Sequence, residues 1–334
     1  ILKNYYDINK KREVKDFTNY FKLRYNKIKN MLLARKELQN AISINRALTK
    51  FDRDDVVIIG MVNNKIITKN GNVMFTLEDP TGLIKAIVTK HKYELFELAK
   101  DTILDEVIGI TGRCGDKIIF ADNIYYPDIQ ASNELKKSEI DEYAIFTSDM
   151  QVGSKVFYEK NFLKFIDWLN GGYGNKEQRE IAKKVKYLFI PGDVVEGVGV
   201  HPGQEEDLAI PDIYKQYDKF SGYINKIRND IKIIISPGNH DSMRIAEPQP
   251  VFDKKISEKL HSLSNVYLTT NPSIVNIAST QNFEGFNVLI YHGFSFPYIA
   301  DNVESIRKSG RLENPELIMK FLLQRRHLAP SHTS

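Results

Sequence analysis

The chain has 334 residues, 42% hydrophobic and 27% charged, with a formal net charge of +4, the profile of an ordinary soluble globular protein of two or more domains. No apolar run reaches membrane-spanning length and no signal peptide is visible, so a membrane protein is excluded from the reading. The one cysteine, Cys114, excludes an internal disulfide or a cysteine-based zinc ribbon and favours a reducing, intracellular setting; from the start at Ile1 rather than Met a fragment is expected, which leaves targeting open.

Residues 1–50 hold 13 Lys or Arg against 4 Asp or Glu, so they carry +9 and the remainder −5. A basic arm suits a nucleic acid or another acidic partner, and a solvated helix face explains the same charge. Phe17, Phe21, Ile28 and Leu32 recur at near-helical spacing, with Lys22, Arg24, Lys27 and Lys29 between them. This predicts an amphipathic helix ending near Asn40, its apolar stripe packed on the next domain.

From 51 to 128 the pattern changes to short strands. Val56–Val62 is apolar and β-branched, Asn70-Gly71 signals a hairpin between Ile66-Ile67 and Val73–Leu77, and Asp79-Pro80-Thr81-Gly82 turns into Leu83–Val88. A helical piece, Tyr93–Ala99, precedes strands at Val107–Gly112 and Lys117–Ala121. Three strands, a small helix and two more strands is the order of an OB-fold, which binds oligonucleotides or docks subunits. Lys65, Lys69, Lys85 and Lys90 are candidates to track phosphates, and Phe75 is either a stacking platform or core. Residues 129–142 are polar and aperiodic, and read as a linker.

The second domain, 143–334, alternates strands and helices. Four apolar runs each end in residues able to do chemistry. Tyr143–Thr147 leads to Ser148-Asp149-Met150-Gln151, and Tyr187–Ile190 to Pro191-Gly192-Asp193-Val194-Val195-Glu196-Gly197. Ile231–Ser236 leads through Pro237-Gly238 to Asn239-His240-Asp241, and Phe286–Tyr291 to His292-Gly293. Ligands of open α/β sheets gather beyond the carboxyl ends of the strands. Singly, Asp149 and Asp193 read as helix caps and His292 as a satisfied polar residue. Together they read as one metal site for phosphoryl chemistry.

Phosphodiester hydrolysis needs an activated water and neutralised phosphate charge, which two divalent ions supply. Asp193 is the expected bridge, Asp149 a ligand of one ion, and Asn239 and His292 ligands of the other. Oxygen and imidazole donors without thiolate favour manganese, with iron, zinc or magnesium as alternatives. His240 is expected over the scissile phosphate, stabilising charge or protonating the leaving oxygen, with Asp241 orienting its ring. His201 and His261 read as structural or solvated.

Asp149-x-x-x-Gly-Ser, Gly-Asp193-x-x-Glu-Gly, Gly-Asn-His240-Asp and Tyr-His292-Gly resemble the blocks of the calcineurin-like metallophosphoesterase superfamily. With a preceding OB-fold, and with Pro202-Gly203-Gln204, the chain resembles the small subunits of archaeal family-D DNA polymerases from about residue 50 onward. The resemblance implies an α/β layered metallophosphoesterase-like domain preceded by an all-β OB-fold barrel and an N-terminal basic helix. It also implies a metal-dependent 3′→5′ exonuclease that proofreads for a large polymerising subunit. Expected partners are that subunit, the primer 3′ end or single-stranded DNA, and a sliding clamp, in an archaeal cytoplasm at the nucleoid. Eukaryotic counterparts have lost their ligands and act as scaffolds, so a degraded site is the alternative. Gln151 stands where the superfamily has Asp-x-His, and is a doubtful ligand. A closing Gly-His-x-His block is absent and Ala329-Pro330-Ser331-His332 reads as its approach, so these residues alone are expected to be inactive. Salt-sensitive DNA binding is expected from the first 130 residues.

Overall fold

The computed structural model describes residues 1–6, 11–129 and 134–329. Of these, 11–129 and 294–329 form one unit and 1–6 and 134–293 another.

The first unit opens with α1 (Val14–Leu33), a 3₁₀ turn at Lys36–Leu38 and α2 (Ile44–Ala47). Then follow β1 (Asp55–Ile67), β2 (Val73–Asp79), β3 (Gly82–Val88), α3 (Tyr93–Asp101), β4 (Val107–Gly115) and β5 (Ile118–Tyr125). The five strands close a barrel in the order β1-β2-β3-β5-β4, with β3 and β5 parallel and the other pairs antiparallel. Period-two alternation sends Val73, Phe75 and Leu77 of β2 inward, so Phe75 is core and offers no face to a base. Buried Asp79 accepts hydrogen bonds from the backbone of Ile44, Thr81 and Gly82, tying the β2–β3 turn to α2.

Helix α1 is part of this unit. Ile28 and Leu32 pack with Leu38, Ile59 and Val107, while Phe17 stays exposed. Arg24 is buried, so the helix is not basic all along its solvated side. Lys65 also departs from its expected role. Its ammonium donates to the carbonyls of Lys100 (2.7 Å) and Thr102 (2.6 Å), which leaves it poorly placed to track phosphates. Lys69, Lys85 and Lys90 are exposed.

The second unit contains β6 (Tyr143–Phe146), α4 (Glu159–Leu169), α5 (Lys176–Lys184), β7 (Val185–Pro191), α6 (Ile213–Ile224) and β8 (Lys232–Ser236). It continues with α7 (Glu258–Ser262), β9 (Val266–Leu268), β10 (Ser273–Ile277) and β11 (Phe286–Ile290). Strands β6-β7-β8-β9 form a parallel sheet in chain order, and β10-β11 a separate antiparallel pair. Sequential order with crossovers of one hand keeps the helices on one face. On that face Leu188, Ile190, Ile233 and Ile235 meet Phe162, Tyr217, Phe220 and Leu260. The intervening residues Phe189 and Ile234 point the other way, onto Val275 and Ile290 of the hairpin. The expected run ending at His292 is therefore a strand of the facing hairpin, not a fourth member of the parallel sheet.

The last elements, α8 (Phe296–Asn302), α9 (Glu304–Lys308) and α10 (Pro315–Arg325), belong to the barrel's unit. The expected domain 143–334 thus runs across both units, with its strands in the unit that ends at Gly293 and α8–α10 in the barrel's. A buried ion pair joins the last of these helices to the barrel. Glu106 Oε2 accepts from Arg325 Nε at 2.8 Å, and the guanidinium lies over the Tyr126 and Phe321 rings at 3.6 and 4.1 Å. Breaking such a pair strands a charge, so α10 is pinned to the residue that precedes β4. The expected linker is described only at 129 and 134–142, and Lys136 there pairs with Glu284 of the hairpin's unit. His332 lies outside the described residues.

His327 follows α10, half-buried, with its Nε2 3.2 Å from the Tyr20 hydroxyl and its Nδ1 accepting from the Ala329 amide. Burial, aided by Arg24, pushes the imidazole down to about 4. A folded-state pKa below the unfolded value means that stability is complete above pH 6.5 and falls as pH drops toward 4. Allowing for partial exposure, chemical denaturation should show a loss of about 1 kcal/mol between pH 7 and pH 5 that His327→Gln removes. An equal pH slope in both proteins would refute this.

Candidate metal centre

Beyond β6 and β7 the backbone is bent into a conformation that side chains usually avoid. Asp149, Gln151 and Asp193 all have positive φ, at 56°, 46° and 52°. Backbone bonds lock the two loops together: the Asp149 amide donates to the Gly192 carbonyl, and the Gln151 amide to the Asp193 carbonyl. Strain of this kind persists where the surroundings over-determine it and clusters at functional sites. Two glycines let the loops approach. A Cβ on Gly192 would lie 2.3 Å from His292 Nδ1, and one on Gly238 would lie 2.2 Å from Asp193 Oδ1.

Asp149, Asp193 and His292 each offer a donor atom, and these atoms lie within 4.8 Å of one another. Asn239 joins them, its Oδ1 2.8 Å from His292 Nε2. His292 Nδ1 lies 2.9 Å from the Pro191 carbonyl, which selects the Nδ1–H tautomer and leaves Nε2 facing Asp193 Oδ1 at 3.4 Å. All four residues expected to gather do so. Gln151 stands beside Asp149, and among the described residues no hydrogen bond of its side-chain carboxamide draws it into the group.

The group is built around positive charge. Burial pushes the His292 imidazole down, but the Asp193 carboxylate and the Pro191 carbonyl outweigh it and hold the ring up at about 9. Burial pushes the Asp193 carboxyl up, and His292 with the His240 amide more than reverses this, leaving it below its ordinary value. Two carboxylates, an amide oxygen and an imidazole nitrogen with its other nitrogen occupied fit a divalent cation with mixed oxygen and nitrogen preference.

His240 sits at the rim. Its amide donates to Asp193 Oδ1 at 2.8 Å, and its Nδ1 meets the Glu196 carbonyl at 2.9 Å, so Nε2 is the ring atom left for chemistry. Asp241 does not orient that ring, contrary to expectation. Its carboxylate is buried and accepts from the amides of Asp193 (3.0 Å), Gly238 (2.8 Å) and Val195 (3.4 Å) and from the Tyr217 hydroxyl (3.3 Å). Burial pushes it up to about 7 against the Gly238 and Val195 amides, which favour the charged form. Asp241 thus clips the β7 loop to the β8 loop. The ring is held instead by the Glu196 carbonyl, itself fixed by buried Gln204, whose Nε2 donates to it at 2.9 Å.

Another support was not anticipated. Asn271 Oδ1 accepts the His292 amide at 2.9 Å, and its Nδ2 donates to Gln249 Oε1, whose own Nε2 reaches the Gly238 carbonyl. Asn271 and Gln249 are buried, and Asn271-Pro272 reads locally as an ordinary turn. Only the Gly-Asp-x-x-Glu-Gly spacing pointed toward Glu196. His261 is structural, its Nε2 3.0 Å from the Phe252 carbonyl, and the exposed His201 ring has its Nδ1 3.3 Å from the neighbouring Pro202 carbonyl. Lys69, Lys85 and Lys90 belong to the barrel's unit and are not part of this group. No helix among the described residues is long and apolar enough to cross a membrane.

The chain is similar to three archaeal proteins named DNA polymerase II small subunit. It is 41% identical to that of Methanothermobacter thermautotrophicus over 318 residues, covering 95% of this chain and 63% of the relative. For Archaeoglobus fulgidus the identity is 38%, covering 95% and 60%, and for Methanocaldococcus jannaschii 39%, covering 96% and 52%. The chain therefore spans between half and two-thirds of the length of these relatives. Residues 144–332 match the model of the calcineurin-like phosphoesterases, and they include every donor of the cation site. By that match, over more than half its length, this chain belongs to the calcineurin-like phosphoesterase family.

Proposed function

We propose that this chain is part of the small subunit of an archaeal replicative DNA polymerase and carries a metal-dependent 3′→5′ exonuclease. The convergence of Asp149, Asp193, Asn239 and His292 supports this most directly. Asp193 would be shared by two ions, Asp149 would hold one, and Asn239 and His292 would hold the other; Gln151 would add at most a weak ligand. Manganese is our first choice, ahead of iron, zinc or magnesium. When bound, such ions neutralise phosphate charge and lower the pKa of water into the neutral range.

The protein's own part is positional. His292 is held by Pro191 and Asn271, and the Asp193 side chain by the His240 amide. His240, its Nδ1–H committed to Glu196, presents Nε2, which when protonated donates to the leaving 3′ oxygen. We read the barrel as an OB-fold, on its strand order, and Lys69, Lys85 and Lys90 as its candidate phosphate contacts. A large catalytic subunit, single-stranded primer ends and a sliding clamp complete the proposed assembly, at the nucleoid in the cytoplasm.

In the full-length protein with Mn²⁺, His240→Ala should slow cleavage of a labelled single strand by about 100-fold or more. Manganese affinity should stay within a few-fold, because the ring is not a proposed ligand. Undiminished cleavage removes His240 from the mechanism. No cleavage by the wild-type full-length protein removes the exonuclease.

A further inference from the structure

Beside the cation site a cleft of about 450 Å³ opens, walled by the β6 loop and the start of α4. Asp149 and Gln151 form one side; Phe157, Tyr158, Asn161 and Phe165 are among the residues forming the rest. It is of the size that ordinary small-molecule sites have. The proposed hydrolysis leaves it unused.

Its floor is rigid and aromatic. Phe157 packs edge-on against Phe162 at 5.9 Å and tilted against Tyr223 at 5.9 Å, and Phe162 stacks with Phe165 at 6.2 Å. Phe162 belongs to the buried core beneath, so the floor cannot collapse into the space. The lip is different. Tyr158 is 79% exposed, a large aromatic face left in water. Its backbone carbonyl starts α4 by accepting the Asn161 and Phe162 amides, and its ring takes no part in that.

The lining chemistry narrows the occupant. Among the described residues no Lys or Arg lines the cleft, so it is not a second phosphate site. It offers aromatic faces with the amides of Gln151 and Asn161 at its edges, a set suited to a flat, uncharged, hydrogen-bonding ring. Asp149 belongs to both cleft and cation group, so a ligand whose phosphate sits at the cations has its neighbouring moiety at the cleft mouth. A nucleotide has this layout, with one sugar between phosphate and base.

We infer that this cleft seats the unpaired terminal nucleobase of a single-stranded substrate, stacked on Tyr158 and the Phe157 side of the floor. This rests on the phosphodiesterase reading above and extends it to the part of the substrate that is gripped. Gln151 then serves as a base-facing amide, consistent with its place in the cleft wall.

The test uses the full-length protein with Mn²⁺ and single strands ending in a normal nucleotide or an abasic one. Wild-type KM should rise about tenfold for the abasic end, with kcat little changed, since a stacked base contributes to binding by about that factor or more. Tyr158→Ala should raise KM for the normal end to a similar extent and erase the difference between the two ends, and Tyr158→Phe should restore it. In stopped-flow, before turnover, 2-aminopurine at the 3′ terminus should lose fluorescence on binding, whereas an internal probe should not. Asn161→Trp, at an exposed position, fills the cleft and should abolish the terminal signal. Equal KM values for the two ends, or a terminal signal that survives Asn161→Trp, overturn the cleft assignment alone. Loss of co-purifying large subunit in Asn161→Trp with the nucleotide readouts unaltered overturns it in favour of a protein-docking groove. Absence of both cleavage and Mn²⁺ binding in wild type overturns the hydrolase reading, and the cleft assignment with it.

Discussion

Asp193→Asn is expected to abolish tight Mn²⁺ binding and to lower single-strand cleavage by the full-length protein by about a thousandfold or more. The substitution keeps the shape and one oxygen, so the effect isolates charge. Asp193 is buried, held below its ordinary pKa, 3.4 Å from His292 Nε2 and within reach of Asp149. Without its negative charge the remaining donors are one exposed carboxylate, one amide and one imidazole, too little charge to hold two divalent ions together. The Asn239 and Asp149 variants should each lose less, because each is proposed to serve one ion. Isothermal titration with Mn²⁺ and a gel-based cleavage assay read the two effects separately. Wild-type affinity in Asp193→Asn would show that the cluster is an ion-pair network and not a metal site.

Asp241→Ala should destabilise the metallophosphoesterase unit by about 3 kcal/mol or more, measured as a shift in urea midpoint, with no metal present. Removing this carboxylate leaves the amides of Asp193, Val195 and Gly238 and the Tyr217 hydroxyl without their common acceptor, in a place water cannot easily reach. Each stranded buried donor costs about 1–3 kcal/mol before relaxation. His240→Ala, one position earlier, should shift the midpoint far less, because its ring makes one hydrogen bond at the rim. The contrast between neighbours separates a residue that builds the site from one that acts in it. A small stability loss with a large catalytic one in Asp241→Ala would reinstate it as the partner of the His240 ring.

The cation site was readable because its donors follow short apolar strands, and strand ends are a local feature. Asp149, Asp193, Asn239 and His292 each stand directly after such a run, and the glycines that admit them are in the same turns. Asp241 was misread for an equally local reason. It is adjacent to His240 in sequence, but successive residues of a tight turn point apart, and its carboxylate turned inward to backbone amides that no side-chain pattern reveals. Lys65 was misread because strand alternation says which face a lysine occupies, not that the Lys100 and Thr102 carbonyls wait at its tip.

By itself the sequence determined the barrel's strands, the strands that carry the cation donors, the chemical character of their loops and the family to which those loops conform, since these depend on spacing over a few residues. It did not determine the end of the first helix, expected near Asn40 and found at Leu33, or the helices after Gly293. Only the tertiary structure decided that His292 arrives on a hairpin facing the parallel sheet. It also decided that Asn271 and Gln249 hold His292 in place, and that residues 294–329 return to the barrel through Glu106 and Arg325, 219 positions apart. Such pairings are selected by burial and by the cost of leaving a charge or an amide unmatched. That selection acts on residues brought together by the fold and leaves no periodic trace along the chain.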